Sequence, residues 1–195
     1  MHGLINKAFQ CFVVDIRGKD SWNSVVQNVG LESPNFEVMW HYDDQITEDL
    51  VAGIANELQL PEQVILEDVG TYLVSHPNVE ALRRLLRFSG GSFLEFLHSL
   101  DDLHARAHLA LPDLDMPHLE LLEFSERDYV LRCHHPYLGF SYIVMGVLRT
   151  MADDYGALVL LEHQEDDSGI GLIRIQLVQE GFSVGKRFAL GAKTA

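Results

Sequence analysis

The hydrophobic period changes once along this chain, from helical spacing to a mixture of alternation and helix. Leu4, Ile5, Ala8, Phe9, Phe12 and Val13 recur three and four residues apart, and Gly18 supplies a stop. Trp22, Val25, Val26 and Val29 trace a second, shorter helix that closes at Gly30. Thr47 reads as the N-cap of a helix through Leu58, and Pro61 opens another carrying Val64, Ile65, Val69 and Leu73. Asn78 is the candidate cap of a helix with Leu82, Leu85 and Leu86, broken at Gly90-Gly91. Ser92, with Glu95 three residues on, has capping-box spacing. The helix it starts is predicted to run unbroken from Phe93 to about Leu109, with Phe93, Leu97, Leu100 and His104 on one face. Leu111-Pro112 ends it.

Beyond Pro117 the period shortens. His118 to Phe124 and Tyr129 to His134 read as a hairpin turning at Ser125-Glu126-Arg127-Asp128. Gly139 to Tyr155 returns to helical spacing through Ile143, Val147 and Met151, with Gly156 as C-cap. Ala157–His163 and Gly171–Gln179 form a second hairpin around Asp166-Asp167-Ser168-Gly169. The expectation is an α+β fold with a four-stranded antiparallel sheet in its C-terminal part. It is read as one domain over residues 1–195. A helical subdomain spans about 1–63, and an α/β subdomain spans 64–195.

Charge narrows the partners. Fourteen Lys and Arg against 29 Asp and Glu leave a net charge of −15. Nucleic acid and anionic membrane surfaces both call for clustered cations, so neither is expected as a partner. No apolar stretch approaches the roughly 20 residues of a membrane helix. No secretory leader is read at the N-terminus, and Cys11 and Cys133 form neither a disulfide framework nor a CxxC pair. A cytoplasmic setting is the expectation.

Ten histidines raise the question of a metal. His2, His41, His76 and His163 stand apart in the sequence, and His98 points away from His104. In Cys133-His134-His135, alternation on a strand allows only Cys133 and His135 to share a ligand, and no second pair at zinc spacing follows. His104 differs because it shares the face of a capped helix with apolar residues. Spacing alone leaves two readings: a core histidine bonded to a backbone carbonyl, or an axial ligand to iron. Motifs for serine hydrolysis, P-loop nucleotide binding, dinucleotide binding and HExxH metalloproteases are absent. No enzyme is expected.

The segment Gly90-Gly91-Ser92-Phe93-Leu94-Glu95-Phe96-Leu97-His98-Ser99-Leu100-Asp101-Asp102-Leu103-His104 resembles the stretch leading to the proximal histidine in the H-NOX (haem NO/O2-binding, HNOB) family. That family includes the haem domain of soluble guanylate cyclase. Pro117, the opening Met1 to Asn6, Trp22, Tyr42-Asp43 and the glycines Gly139, Gly146 and Gly156 extend the likeness over most of the chain, which weakens after residue 165.

The resemblance implies haem b with His104 as the ligand to a five-coordinate iron, and Pro117 pressing on the macrocycle. Leu100 is also placed at the cofactor. Ile5, Phe9 and either Tyr142 or Ile143 would line the distal side. Alignment with the cyclase domain favours Ile143, and so nitric oxide over O2. One departure stands out: the family's Tyr-x-Ser-x-Arg, which grips the haem propionates, is replaced by Cys133, His135 and Tyr137. Ser125-Glu126-Arg127 is a coincidental echo in a turn, and Arg132 should face away from Cys133. Losing such a charge-assisted contact costs about 1.5–3 kcal/mol. The implied function is a gas sensor that signals to a separate protein, such as a histidine kinase or a cyclic-di-GMP enzyme. The alternative is a haem-free H-NOX fold serving as an apolar-ligand or protein-interaction module.

Overall fold

The computed structural model describes residues 1–79, 83, 86–87, 90–110, 112–114, 116–137 and 139–186. Four helices come first: α1 (Gly3–Arg17), α2 (Lys19–Val29), α3 (Asp44–Leu58) and α4 (Glu62–Ser75). Gly18 and Gly30 stop the first two at φ of 90° and 75°, conformations that cost glycine no Cβ clash. Pro61 is the N-cap of α4. The helix expected over Asn78–Leu86 falls largely outside the described residues, as does Leu111. Pro77–Val79 form a short 3₁₀ turn.

Thr47 is not a cap. Asp43 takes that role by accepting the Gln45 amide at 3.0 Å, which starts α3 one turn earlier. Thr47 lies inside the helix, fully buried, and donates its hydroxyl to Asn6 Oδ1 of α1 at 2.7 Å. A β-branched hydroxyl at a plausible cap spacing is here a tertiary contact between helices, which spacing cannot distinguish.

The helix expected from Phe93 to Leu109 is two helices, α5 (Phe93–His98) and α6 (Leu103–Ala110). Ser92 caps α5 by accepting the Glu95 amide, and Glu95 reaches back to the Gly91 amide. The break lies in Ser99-Leu100-Asp101-Asp102, where the short polar side chains of the serine and the two aspartates compete for backbone partners. Ser99 Oγ donates to the Phe96 carbonyl, and Asp101 Oδ1 takes the Leu121 amide, 20 residues away, at 2.8 Å. The three apolar members of the predicted stripe, Phe93, Leu97 and Leu100, are all buried. His104 lies past the break and is only half-buried.

Strands β1 (His118–Glu123) and β2 (Asp128–His134) form the first hairpin, with Leu121 opposite Leu131. Helix α7 (Phe140–Tyr155) follows, and then β3 (Leu158–Glu165) and β4 (Gly171–Gln179). The sheet is antiparallel with order β1-β2-β4-β3, so β4 bridges the two hairpins. Leu119, Tyr129, Leu131, Cys133, Ile173, Ile175 and Leu177 point inward and are buried, and α7 packs against β3 and β4.

The other side of α7 meets α4 at two glycines. A Cβ on Gly70 would lie 2.0 Å from the Ile143 carbonyl oxygen, and one on Gly146 would lie 2.0 Å from that of Glu67. The backbones of α4 and α7 therefore touch, which joins the helical region to the sheet through one apolar core.

Asp154, near the end of α7, is fully buried and neutralised. Arg83 Nε lies 2.5 Å from one of its oxygens and Lys186 Nζ 3.1 Å from the other. Lys186 also gives its amide to the Asp154 carbonyl. This cluster ties the segment after β4 to α7.

Candidate functional site

His104 is oriented by a hydrogen bond to backbone. Its Nδ1 lies 3.0 Å from the Met116 carbonyl, immediately before Pro117, which is buried. A carbonyl can only accept, so Nδ1 carries a proton, and in the neutral ring Nε2 keeps its lone pair. Metal-ligating histidines commonly show this arrangement, because the bond fixes the tautomer and the ring plane. Both readings left open by spacing meet in this one contact.

The surroundings of His104 are less apolar than its spacing predicts. Its ring lies parallel to that of His108, one turn along α6, with centroids 6.3 Å apart. The His118 ring lies 6.1 Å away, and His118 in turn faces His134 across β1 and β2 at 6.0 Å. Glu120 closes the row, with its carboxylate 3.3 Å from His134 Nε2. His134 and Arg132 hold the Glu120 carboxyl below its usual range, chiefly through the hydrogen bond from His134. Sequence reading missed this row because it joins a helix to two strands. Among the described residues, no group of three His, Cys, Asp or Glu side chains is arranged to hold a metal ion.

The other predicted site residues divide by burial. Phe9, Leu100 and Ile143 are buried members of one apolar core, and Ile5 and Tyr142 are partly buried against it. Tyr142 lies over His163 of β3 at 3.9 Å between ring centroids, nearly parallel. Its phenol is thus engaged on the sheet side, whereas Ile143 is only 7% exposed, with its carbonyl against Gly70.

Positions 133, 135 and 137 carry no guanidinium. Cys133 is buried, which pushes its thiol up to about 12 and keeps it neutral. His135 packs on Phe140 at 4.2 Å and takes the Tyr137 amide on Nδ1. Burial pushes the Tyr137 phenol up to about 12, with Glu62 and Glu48 adding to the effect. Cys133 and Tyr137 thus offer a carboxylate ligand neutral groups only, with two acidic side chains beside Tyr137.

The histidines that stand apart in the sequence find partners in the fold. His2 caps α1 by accepting the Leu4 amide, and its ring meets His41 edge-on. His76 lies 3.5 Å from Asp15. His163 Nε2 pairs with Ser141 Oγ at 2.8 Å. Burial lowers the His163 pKa below its ordinary 6.5, against a smaller opposing effect of Glu165. A histidine kept neutral by the fold binds its proton more readily once unfolded. The stability it contributes is therefore complete above about 6.5 and is lost as pH falls below that. Urea melts of wild type between pH 7.5 and 5.5 should show stability falling with acid, and His163→Gln should flatten that slope. An unchanged slope would mean that His163 is not held neutral.

The fold is an α+β domain with a four-stranded antiparallel sheet and a helix-borne histidine beside a buried proline. The chain belongs to the haem-NO-binding (H-NOX) family, whose model matches residues 2–163. It is 21% identical to soluble guanylate cyclase 89Db of Drosophila melanogaster, over 97% of this chain and 29% of that protein. It is 33% identical to soluble guanylate cyclase gcy-35 of Caenorhabditis elegans over 53% of this chain and 15% of that one. The chain thus spans less than a third of the length of these curated relatives. Two crystal structures share its fold with a TM-score of 0.77 each. The H-NOX protein from S. oneidensis in the Fe(II)NO state is 18% identical over 92% of this chain and all of that one. The unliganded Fe(II) H-NOX protein from K. algicida is 16% identical over 94% of this chain and all of that one. Among the described residues, no helix is long and apolar enough to cross a membrane.

Proposed function

We propose that this chain is a haem-based sensor of nitric oxide in which His104 holds the iron. The observation that carries this reading is the bond between His104 Nδ1 and the Met116 carbonyl, which leaves Nε2 as a donor on a helix that follows a break. Haem bound there would supply an iron with one open position for a diatomic ligand. Pro117, buried beside Met116, would pack against the macrocycle, with Leu100 and the apolar residues Ile5, Phe9 and Ile143 completing the pocket. A buried isoleucine at 143, with Tyr142 turned to His163, offers no hydroxyl to a bound O2, which favours nitric oxide.

The chain's own residues provide a way to pass on a change at His104. Helix α5 is anchored by the buried Phe93, Phe96 and Leu97, whereas α6 follows the break at residues 99–102. Strain or release at His104 would pivot α6 at that break. Two bonds would carry the motion to the sheet: Met116 to His104, and Asp101 to the Leu121 amide of β1. The receiver would be a separate protein, with a histidine kinase or a cyclic-di-GMP enzyme as the family-based candidates. The two subdomains meeting near residue 63 would then be the distal and proximal walls of the site.

A second reading has its own observation. Cys133, His135 and Tyr137 supply no guanidinium for the propionates, and Glu48 and Glu62 lie near Tyr137. His104 would offer the iron a nitrogen ligand while the carboxylate end would be gripped weakly, which suits a haem-free interaction module. Adding ferrous haem to the purified chain and then nitric oxide separates the two. Stoichiometric uptake with a Soret band that shifts on nitric oxide is the expected result. A colourless protein with intact helical circular dichroism would establish the haem-free module instead.

A further inference from the structure

The segment after β4 is fastened back onto the end of α7, and the fastening reaches a helix on which the sensor reading relies. Gly156, the C-cap of α7, faces this segment so closely that a Cβ there would lie 2.2 Å from the Ser183 carbonyl oxygen. A Cβ on Gly185 would in turn lie 2.6 Å from the Asp154 carbonyl oxygen. Two glycines therefore let one backbone lie flat on another. Ser183 donates its amide to the Gly156 carbonyl at 3.1 Å, and Lys186 donates its amide to that of Asp154 at 3.0 Å. Phe182 and Val184 stay exposed, at 58% and 98%. Backbone bonds and the ion pair of Lys186 with the buried Asp154 hold the segment down, rather than apolar packing.

Arg87 carries the contact onward. Its Nη1 donates to the Asp154 carbonyl at 2.7 Å and to the Lys186 carbonyl at 3.3 Å, which joins α7 to the segment a second time. The same guanidinium lies 4.4 Å from the centre of the Tyr155 ring. The Tyr155 hydroxyl donates to the Gly90 carbonyl at 3.0 Å, two residues before the Ser92 cap of α5. Its ring meets those of Phe93 and Phe96, both buried in α5, with centroids 6.5 and 6.1 Å away. A continuous series of contacts thus runs from Lys186 through Arg87 and Tyr155 to the start of α5.

We infer that residues 183–186 are a strap that sets how firmly α5 is held, so that lifting the strap loosens α5 and the break at residues 99–102. A short exposed segment held by backbone bonds belongs to the low-stability end of a fold, from which switching elements are drawn. The coupling is reciprocal, so whatever loosens α5 also weakens the strap. The inference rests on the sensor reading for what α5 does, since α5 is there the fixed side of the pivot before His104. The contacts themselves involve neither His104 nor haem.

Hydrogen exchange of the full chain without added haem, read by mass spectrometry of peptic fragments, is the test. Gly185→Val drives a side chain against the Asp154 and Tyr155 backbone and should lift the strap. Amides 181–186 should then exchange faster. So should those of Phe96, Ser99 and Leu100, bonded in wild type to Ser92, Glu95 and Leu97, by about tenfold or more. Amides of α1 and α3 should keep their wild-type rates. Arg87→Lys keeps the charge but loses the planar group that stacks on Tyr155, and it should loosen both ends in the same pattern. Circular dichroism checks that each variant keeps its fold.

Faster exchange confined to the strap and the end of α7 would show a strap without influence on α5, and would overturn the proposal. A uniform rise along the whole chain would also overturn it, since that reports general loss of stability. Wild-type rates at 181–186 in both variants would mean that these contacts do not hold the segment, with the same consequence. Because haem is left out, failure here leaves the sensor reading standing, and failure of haem uptake leaves this result standing.

Discussion

Glycine in place of His104 is expected to abolish high-affinity haem uptake, and imidazole added to the buffer should restore a Soret band. The Met116 carbonyl fixes the ring of His104, so its removal deletes both the donor and its orientation. Mutating only a supporting partner of a metal-bound histidine typically costs roughly 10–100-fold in affinity. Loss of the ligand itself should exceed that. The fold should survive, because His104 is half-buried and is not part of the apolar core. Imidazole rescue separates ligation from a purely structural part, since a free ring can occupy the space left by the side chain and bind the iron. Haem uptake by His104→Gly with wild-type affinity and spectrum would remove His104 from the site.

Leucine at Gly146 should unfold the protein far more readily than leucine at an exposed helical position. The first carbon of any side chain there would lie 2.0 Å from the Glu67 carbonyl oxygen and 2.9 Å from the Thr71 amide. Both are backbone atoms of α4, which cannot rotate aside as a side chain would. The two helices would have to separate along the contact that joins the helical layer to the sheet. Overpacking typically costs 1–3 kcal/mol, and a clash with backbone rather than a side chain belongs at the upper end, about 3 kcal/mol. For a chain of this size that corresponds to a fall in melting temperature of roughly 6–12 °C. Differential scanning calorimetry of Gly146→Leu checks this, with Asp153→Leu, at an exposed position on the same helix, measured in parallel. Equal melting temperatures for the two variants would show that the close approach of α4 and α7 is not maintained in solution.

The residues that made the site legible are those whose meaning is local. His104 stands out by the apolar residues three and four positions apart that lead up to it, and Pro117 by the family resemblance. The glycines at 18, 30 and 156 stop helices because only the backbone at that one residue matters, and the structure places stops at all three. Thr47 misled because capping and burial use the same residue type, and Asn6 lies 41 positions away. The break after His98 was hidden for a similar reason. Phe93, Leu97 and Leu100 keep helical spacing up to it, while the bond that helps hold it open comes from Leu121 on a strand.

Period, turn chemistry and family likeness, all readable along the chain, determined the α+β class, the two hairpins and the residue to suspect. Tertiary structure alone decided which side chains meet. The order β1-β2-β4-β3 brings His118 opposite His134, within reach of His104, and sets Phe124 and Leu160 in one groove. The physical reason is that caps and periods depend on neighbours within a turn or a strand. Register between strands, and contact between a helix and a sheet, depend on how distant apolar faces are buried together.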